Sequence, residues 1–134
     1  MNENASRLKV VYRPTATLNP YANNSNVHSP EQVAAIAASI EEFGFTNPIL
    51  IDEHDTLIAG HGRLLGANLL GLEDVPCIVL AHLTEAQRRA YVIADNQLAK
   101  RATWDVEMLA AELDALAGMD FDLSLTGFDA VDID

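Results

Sequence analysis

Only one cysteine, Cys77, stands among the 134 residues, so no disulfide can form within the chain. No apolar run approaches the roughly 18 residues that a membrane span needs. The N-terminus lacks the basic-then-apolar build of a secretory signal. Base is scarce as well: 8 Lys and Arg stand against 20 Asp and Glu, for a net charge of −12. These shortages argue against a disulfide scaffold, a membrane-spanning chain and a protein that grips phosphate backbones through a broad basic face. The expectation is a soluble, cytoplasmic protein with no membrane partner. At 49% apolar the composition is that of a globular chain, long enough to bury a core without staples.

The charge is unevenly placed. Residues 1–101 hold all 8 bases and 11 of the acids, net −3, whereas residues 102–134 hold 9 acids and no base. The chain therefore reads as a nearly neutral core domain, 1–101, followed by a C-terminal helix and acidic tail, 102–134, that acts as a connector.

Local patterns fill in the core. Residues 8–12 read as a short strand, and Pro14, Pro20 and the Asn-rich stretch 23–26 as loop. Ser29-Pro30-Glu31-Gln32 offers an N-cap, a proline at the first helical position and a capping-box glutamine. Val33, Ile36, Ala37, Ile40 and Phe43 then recur at helical spacing up to Gly44, which predicts a helix over 30–43. Residues 48–51 and 56–59 flank the polar run Asp52-Glu53-His54-Asp55 and predict a hairpin; that run reads as a solvated turn in preference to a metal cluster. Residues 75–80 predict a buried strand holding Cys77 as a structural thiol. Thr84-Glu85-Ala86-Gln87 is a second capping box opening a helix, and Trp104 to Leu116 predicts another. From Gly118 onward large apolar residues are scattered without a period, as in a segment that is cut, or disordered unless a partner covers it.

The sharpest local feature is the strand-to-helix turn Gly60-His61-Gly62-Arg63. Two glycines let a ligand approach the backbone, and the helix start offers free N–H groups and a positive dipole end. Arg63 has the wrong charge for that dipole unless an anion lies between them. A tight structural turn is the alternative reading. His61 suits a general base or a phosphate donor, or simply a bond to backbone, and both stay open. Arg88 falls two helical turns before Asp95 on one face and is expected to point to the same anion site, with Arg89 at the surface. Lys100 and Arg101 suit a helix C-terminus, and His28 and His82 receive no role.

The order of these pieces resembles a known family. Leu18-Asn19-Pro20-Tyr21, then Gly44-Phe45-Thr46-Asn47-Pro48-Ile49, Ala59-Gly60-His61-Gly62-Arg63-Leu64 and Ile93-Ala94-Asp95-Asn96 together resemble the N-terminal domain of the ParB/sulfiredoxin superfamily, over about residues 8–101. The resemblance implies an α/β (α+β) fold: a small mixed sheet, one helix before the hairpin, one after the glycine turn and two C-terminal helices. It implies nucleoside triphosphate, CTP or ATP with Mg²⁺, held by Gly60, His61, Gly62 and Arg63 at the phosphates. Thr46 and Asn47 would lie near the base, and Asp95 and Asn96 on phosphate or metal. His61 and Asp95 are the catalytic candidates should the nucleotide be hydrolysed. The chain departs from the family pattern at His61, where glutamate is expected, and at Gly62 and Ala99, where arginines are expected. The sulfiredoxin cysteine would fall at His61, which excludes sulfinic-acid reduction.

Leu83-Thr84-Glu85-Ala86-Gln87-Arg88-Arg89, Ile93 to Ala99, Trp104-Asp105 and Phe121 to Phe128 further resemble ParB-like modules of phage and mobile-element proteins, fused ahead of DNA-modification methyltransferases. No methyltransferase motif occurs in this sequence. The expected function is a nucleotide-binding module for DNA transactions, reaching DNA indirectly or through an attached domain and closing or dimerising on its ligand. The alternatives are a protein-interaction adaptor with a degenerate nucleotide site and a DNA-binding or nuclease-like domain. Against the last, no basic helix-turn-helix is evident after the core.

Overall fold

Ser29 and Pro30 start the first helix as their chemistry requires. In the computed structural model, which describes residues 7–24 and 26–128, α1 runs Pro30–Phe43. The Ser29 hydroxyl accepts from the Gln32 N–H, and Gly44 turns the chain at φ +88° while its N–H donates to the Ile40 carbonyl. The Gln32 side chain leaves the box unfinished and pairs instead with His28.

Four strands form one mixed sheet: β1 (Val10–Pro14), β2 (Ile49–Ile51), β3 (Leu57–Ala59) and β4 (Asp74–Val79), in the order β1-β4-β2-β3. β2 and β3 make the expected antiparallel hairpin, β4 returns parallel to β2, and β1 closes the other edge antiparallel to β4. A parallel return needs a crossover, which α2 (His61–Leu70) supplies before Gly71 ends it in the left-handed region. β1 sits two residues later than the expected 8–12, with Val10 opposite Ile78 and Pro14 opposite Asp74. Pro14 is tolerated because it ends an edge strand.

Side-chain alternation splits the core over the two sheet faces. Ile49, Ile51, Leu57, Val75 and Cys77 join Leu18, Leu64 and Ala67 on one face. Ile58 packs with Leu80 and Val92 on the other, with Leu50 and Ile78 at its margin. Each fully buried Ile, Leu or Val of this set contributes about 1.5–3 kcal/mol. Burial pushes the Cys77 thiol up, as suits a structural cysteine.

Against the first face, α1 comes close to α2. A β-carbon on Gly66 would lie 3.0 Å from Ile36 Cγ2 and 3.4 Å from the Ala37 backbone nitrogen, so a side chain there would push Ile36 aside. On the second face lies α3 (Glu85–Arg101), opened by a complete capping box between Thr84 and Gln87. Val92 is its one buried residue; Ile93 and Leu98 are each 65% exposed.

α4 (Val106–Gly118) begins later than the expected Trp104, because Asp105 is the cap and accepts from the Met108 N–H. The segment after it corrects the expectation of an uncovered tail. Phe121 stacks on Phe43 at 6.3 Å between centroids, and Phe128 lies 5.4 Å from Trp104. Asp122 caps a short 3₁₀ turn, Leu123–Thr126, that packs near α1. Residues 129–134, the acidic end of the expected connector, lie outside the described residues. Among the described residues no helix is long and apolar enough to cross a membrane.

Candidate functional site

The site is built at the end of β3, where the chain must turn sharply into α2. Gly60 takes φ +104°, and a β-carbon there would meet Arg63 Nη2 at 3.1 Å and Ile49 Cγ1 at 3.2 Å. The Arg63 guanidinium therefore folds back across the turn. Its Nη2 donates to the Pro48 carbonyl at 3.0 Å, which ties the helix start to the loop before β2. Its Nε is buried and has no hydrogen-bond partner among the described residues. Burial pushes the guanidinium down from its ordinary value, opposed by the Asp95 carboxylate and by Tyr91. It stays charged, because arginine starts so far above neutrality.

A cavity of about 350 Å³ opens beside this turn. Thr46 and Asn47 line it from the loop before β2, Gly60 to Arg63 from the turn, and Asp95 and Asn96 from α3. All the expected ligand-binding residues except Arg88 are thus brought together. His61 is spoken for on one side: its Nε2 accepts the Tyr21 backbone N–H at 3.1 Å. A backbone N–H can only donate, so that nitrogen carries no proton and the ring is neutral. Burial, and then the nearby His28, hold its pKa down accordingly. Asn96 is also engaged, its Nδ2 donating to the Val92 carbonyl at 2.9 Å and its Oδ1 accepting from Asn26 Nδ2 at 3.2 Å.

Arg88 corrects the expectation. It lies outside the cavity lining and donates from Nη1 to Asp52 Oδ2. Seven residues along a helix restore the direction of a side chain but displace it by about 10 Å, enough to give it another partner. Asp52 is corrected with it. Four per cent exposed, it is no solvated turn residue: Oδ1 accepts from the His54 N–H at 2.8 Å and the Thr56 N–H at 3.0 Å. Burial alone would raise its pKa, but the Thr56 and His54 N–H bonds and Arg88 outweigh burial and lower it. The sequence did carry a signal, since a carboxylate leaving a buried strand at a turn commonly bonds the N–H groups two to four residues on. His28, Asn24 and Asn26, which also surround the cavities, gave none.

Among the described residues no three His, Cys, Asp or Glu side chains are placed to hold a metal by themselves. Asp95 is the one carboxylate lining the main cavity. That fits Mg²⁺ only in the way it accompanies a nucleotide, with phosphate and water oxygens filling most of its shell.

Residues 2–96 match the model of the ParB N-terminal domain. The chain belongs to the ParB N-terminal domain family. The ParB-like nuclease domain-containing protein YnaK of Escherichia coli (strain K12) is 52% identical over 85 residues, covering 63% of this chain and 98% of YnaK. The fold is similar to that of Caulobacter crescentus ParB complexed with CTP-gamma-S, with a TM-score of 0.73 at 21% identity over 88% of this chain and 68% of that one. Arabidopsis thaliana sulfiredoxin also shares it, with a TM-score of 0.52 at 21% identity over 63% of this chain and 97% of that one. The ParB/sulfiredoxin-like mixed sheet expected from sequence is thus the fold observed.

Residues 107–134 match a second model, the ParB-methyltransferase HTH domain. The sequence reading excluded only a basic helix-turn-helix after the ParB-like core, and the match adds a family likeness there without basic charge. That reading rested on charge, and the segment does lack any Lys or Arg; a family likeness does not require the basic face by which the motif is usually noticed.

Proposed function

We propose that this chain is a ParB-like nucleotide-binding module whose cavity takes a nucleoside triphosphate with Mg²⁺, and that it serves DNA modification, partition or phage DNA transactions. The observation that carries the reading is Arg63, a half-buried cation lining the cavity beside a glycine turn and a helix N-terminus, its Nε–H without a hydrogen-bond partner among the described residues. A partly desolvated positive charge costs stability, and an anion beside the guanidinium would offset that cost. The similar ParB holds CTP-gamma-S, which makes CTP the first nucleotide to test.

In this reading Gly60 lets the chain turn sharply so that the start of α2 faces the phosphates, Gly62 makes room for the side chains packed over the turn, Arg63 neutralises phosphate charge, and Thr46 and Asn47 meet the base. Asp95, and Asn96 if it leaves Asn26, would help hold Mg²⁺, which would supply neutralisation of phosphate charge. If the nucleotide is hydrolysed, Asp95 is the better candidate base, because the Nε2 lone pair of His61 is already given to Tyr21. A two-metal nuclease would need several converging carboxylates, and among the described residues Asp95 is the one that lines the cavity.

Residues 102–134 act in this proposal as the connector, or the beginning of a DNA-facing element, between the core and a methyltransferase or other partner. The helix-turn-helix match favours the DNA-facing form, and a second structure of Caulobacter ParB, complexed to parS, shares the fold at a TM-score of 0.56. An adaptor with a degenerate nucleotide site is the second reading, favoured by the polar atoms of His61 and Asn96 that are bonded within the protein.

Calorimetric titration of the full chain with CTP, ATP and GTP in the presence of Mg²⁺ tests the proposal. Binding that Arg63→Ala abolishes and Arg89→Ala leaves intact is the expected result. No heat with any nucleotide at millimolar concentration would leave the adaptor. Light scattering with and without nucleotide then shows whether two copies close on the ligand.

A further inference from the structure

His28 is the residue at the cavity that neither the motif nor the resemblance singled out. It precedes α1, yet it lines both the main cavity and a second one of about 240 Å³ that shares Asn24, His28 and His61 with it. It sits there because position 62 is glycine. A β-carbon on Gly62 would stand 2.9 Å from His28 Cε1 and 3.2 Å from its Nδ1. The imidazole thus occupies the space over α2 that a side chain at 62 would claim.

The two cavity histidines differ in what their partners allow. His61 receives a backbone N–H on Nε2 and would lose that bond on protonation there. His28 faces an acceptor: its Nδ1 lies 3.0 Å from Gln32 Oε1, and its Nε2 has no hydrogen-bond partner among the described residues. An imidazolium satisfies that arrangement fully, with Nδ1–H on Gln32 and Nε2–H free for a ligand. The charged and titratable groups around His28 are His61 and Arg63 from α2, Asp95 from α3 and Glu31 at the start of its own helix. The neutral His61 and the opposite charges of Arg63 and Asp95, which line the same cavity, leave it with little net charge for a multiply charged anion.

We propose that His28, as an imidazolium, supplies the second positive charge of the anion site, donating from Nε2 to the bound phosphate. The inference rests on the nucleotide reading above. It adds that binding takes up a proton, so affinity falls as pH rises through the range where imidazole loses its charge.

The test is titration of the full chain with Mg²⁺ and CTP, and with inorganic tripolyphosphate, at about pH 6 and about pH 8. Wild type is compared with His28→Gln, which keeps a side chain over Gly62, and His28→Arg, which keeps a charge at every pH. Dividing wild type by His28→Gln at each pH cancels the titration of the ligand itself. The expected ratio favours wild type by about tenfold at the lower pH and approaches unity at the higher. His28→Arg should bind with no such fall. The proton NMR signal of the His28 ring should move toward the charged form on adding tripolyphosphate while that of His61 does not. Equal pH dependence in wild type and His28→Gln would overturn the role of His28 and leave the nucleotide reading standing. No binding by any variant at either pH would overturn both.

Discussion

Arg88 and Asp52, 36 residues apart in sequence, form the one side-chain ion pair that joins α3 to the hairpin turn among the described residues. With Asp52 also holding the His54 and Thr56 N–H groups, a single carboxylate shapes the turn and seats the helix. Asp52→Ala removes all three bonds and should lower the unfolding free energy by about 2–4 kcal/mol. Arg88→Ala should cost about 1–3 kcal/mol, below the cost of breaking a fully buried pair, because the arginine side chain is 27% exposed. Urea denaturation of both variants checks the order, and equal or negligible losses would contradict it.

The same carboxylate sets an acid limit. Its folded pKa is depressed, so its contribution is fully present above the unfolded value and is lost as pH falls through the folded one. Stability should hold from neutrality down to about pH 4 and then fall. In Asp52→Asn that part of the acid limb should be flatter. Thermal melts from neutral pH downward measure the difference between the two slopes.

Three glycines should rank by geometry. Gly60→Ala combines φ +104° with contacts of 3.1–3.3 Å and should cost about 1–3 kcal/mol. Gly62→Ala drives a methyl group to 2.9 Å from both His28 and Ile36, a packing cost of about 1–3 kcal/mol, and it also displaces His28. Gly71→Ala has open space and only the left-handed backbone against it, for about 1 kcal/mol. Chemical denaturation should place Gly71→Ala as the mildest, and a larger loss there than at Gly60 would refute the ranking.

Phe121 should hold the segment after α4 in place through Phe43. Phe121→Ala should speed amide exchange across Leu123–Thr126 without altering the sheet, with a stability loss of about 0.5–1.5 kcal/mol beyond that of buried area. Unchanged exchange in that turn would mean the stack does not hold it.

Local chemistry made most of the fold legible. Ser29, Pro30 and Gly44 bracket α1 at the expected residues, and Thr84 with Gln87 opens α3, because caps are decided by the residues beside them. The glycine turn and the two residue groups facing it were equally readable, through the order of the motifs. What could not be read depended on distant partners. Phe121 meets a ring 78 residues earlier, Arg88 finds Asp52 because of a rise along the helix, and His28 fits where another residue lacks a side chain. None of these leaves a periodic mark in the sequence.

Once Val92 is passed, α3 runs nine more residues with side-chain hydrogen bonds to the rest of the described protein only at Asn26, which meets Asn96 and Lys100. A helix of that length is a shaft of about 14 Å that resists both bending and twisting. Its seat on the sheet therefore fixes the azimuth at which the chain leaves toward α4. One alanine inserted between Asn96 and Lys100 would turn everything beyond it by about 100° while moving it only about 1.5 Å along the axis. Whatever residues 102–134 are meant to reach, the phase of this shaft aims them.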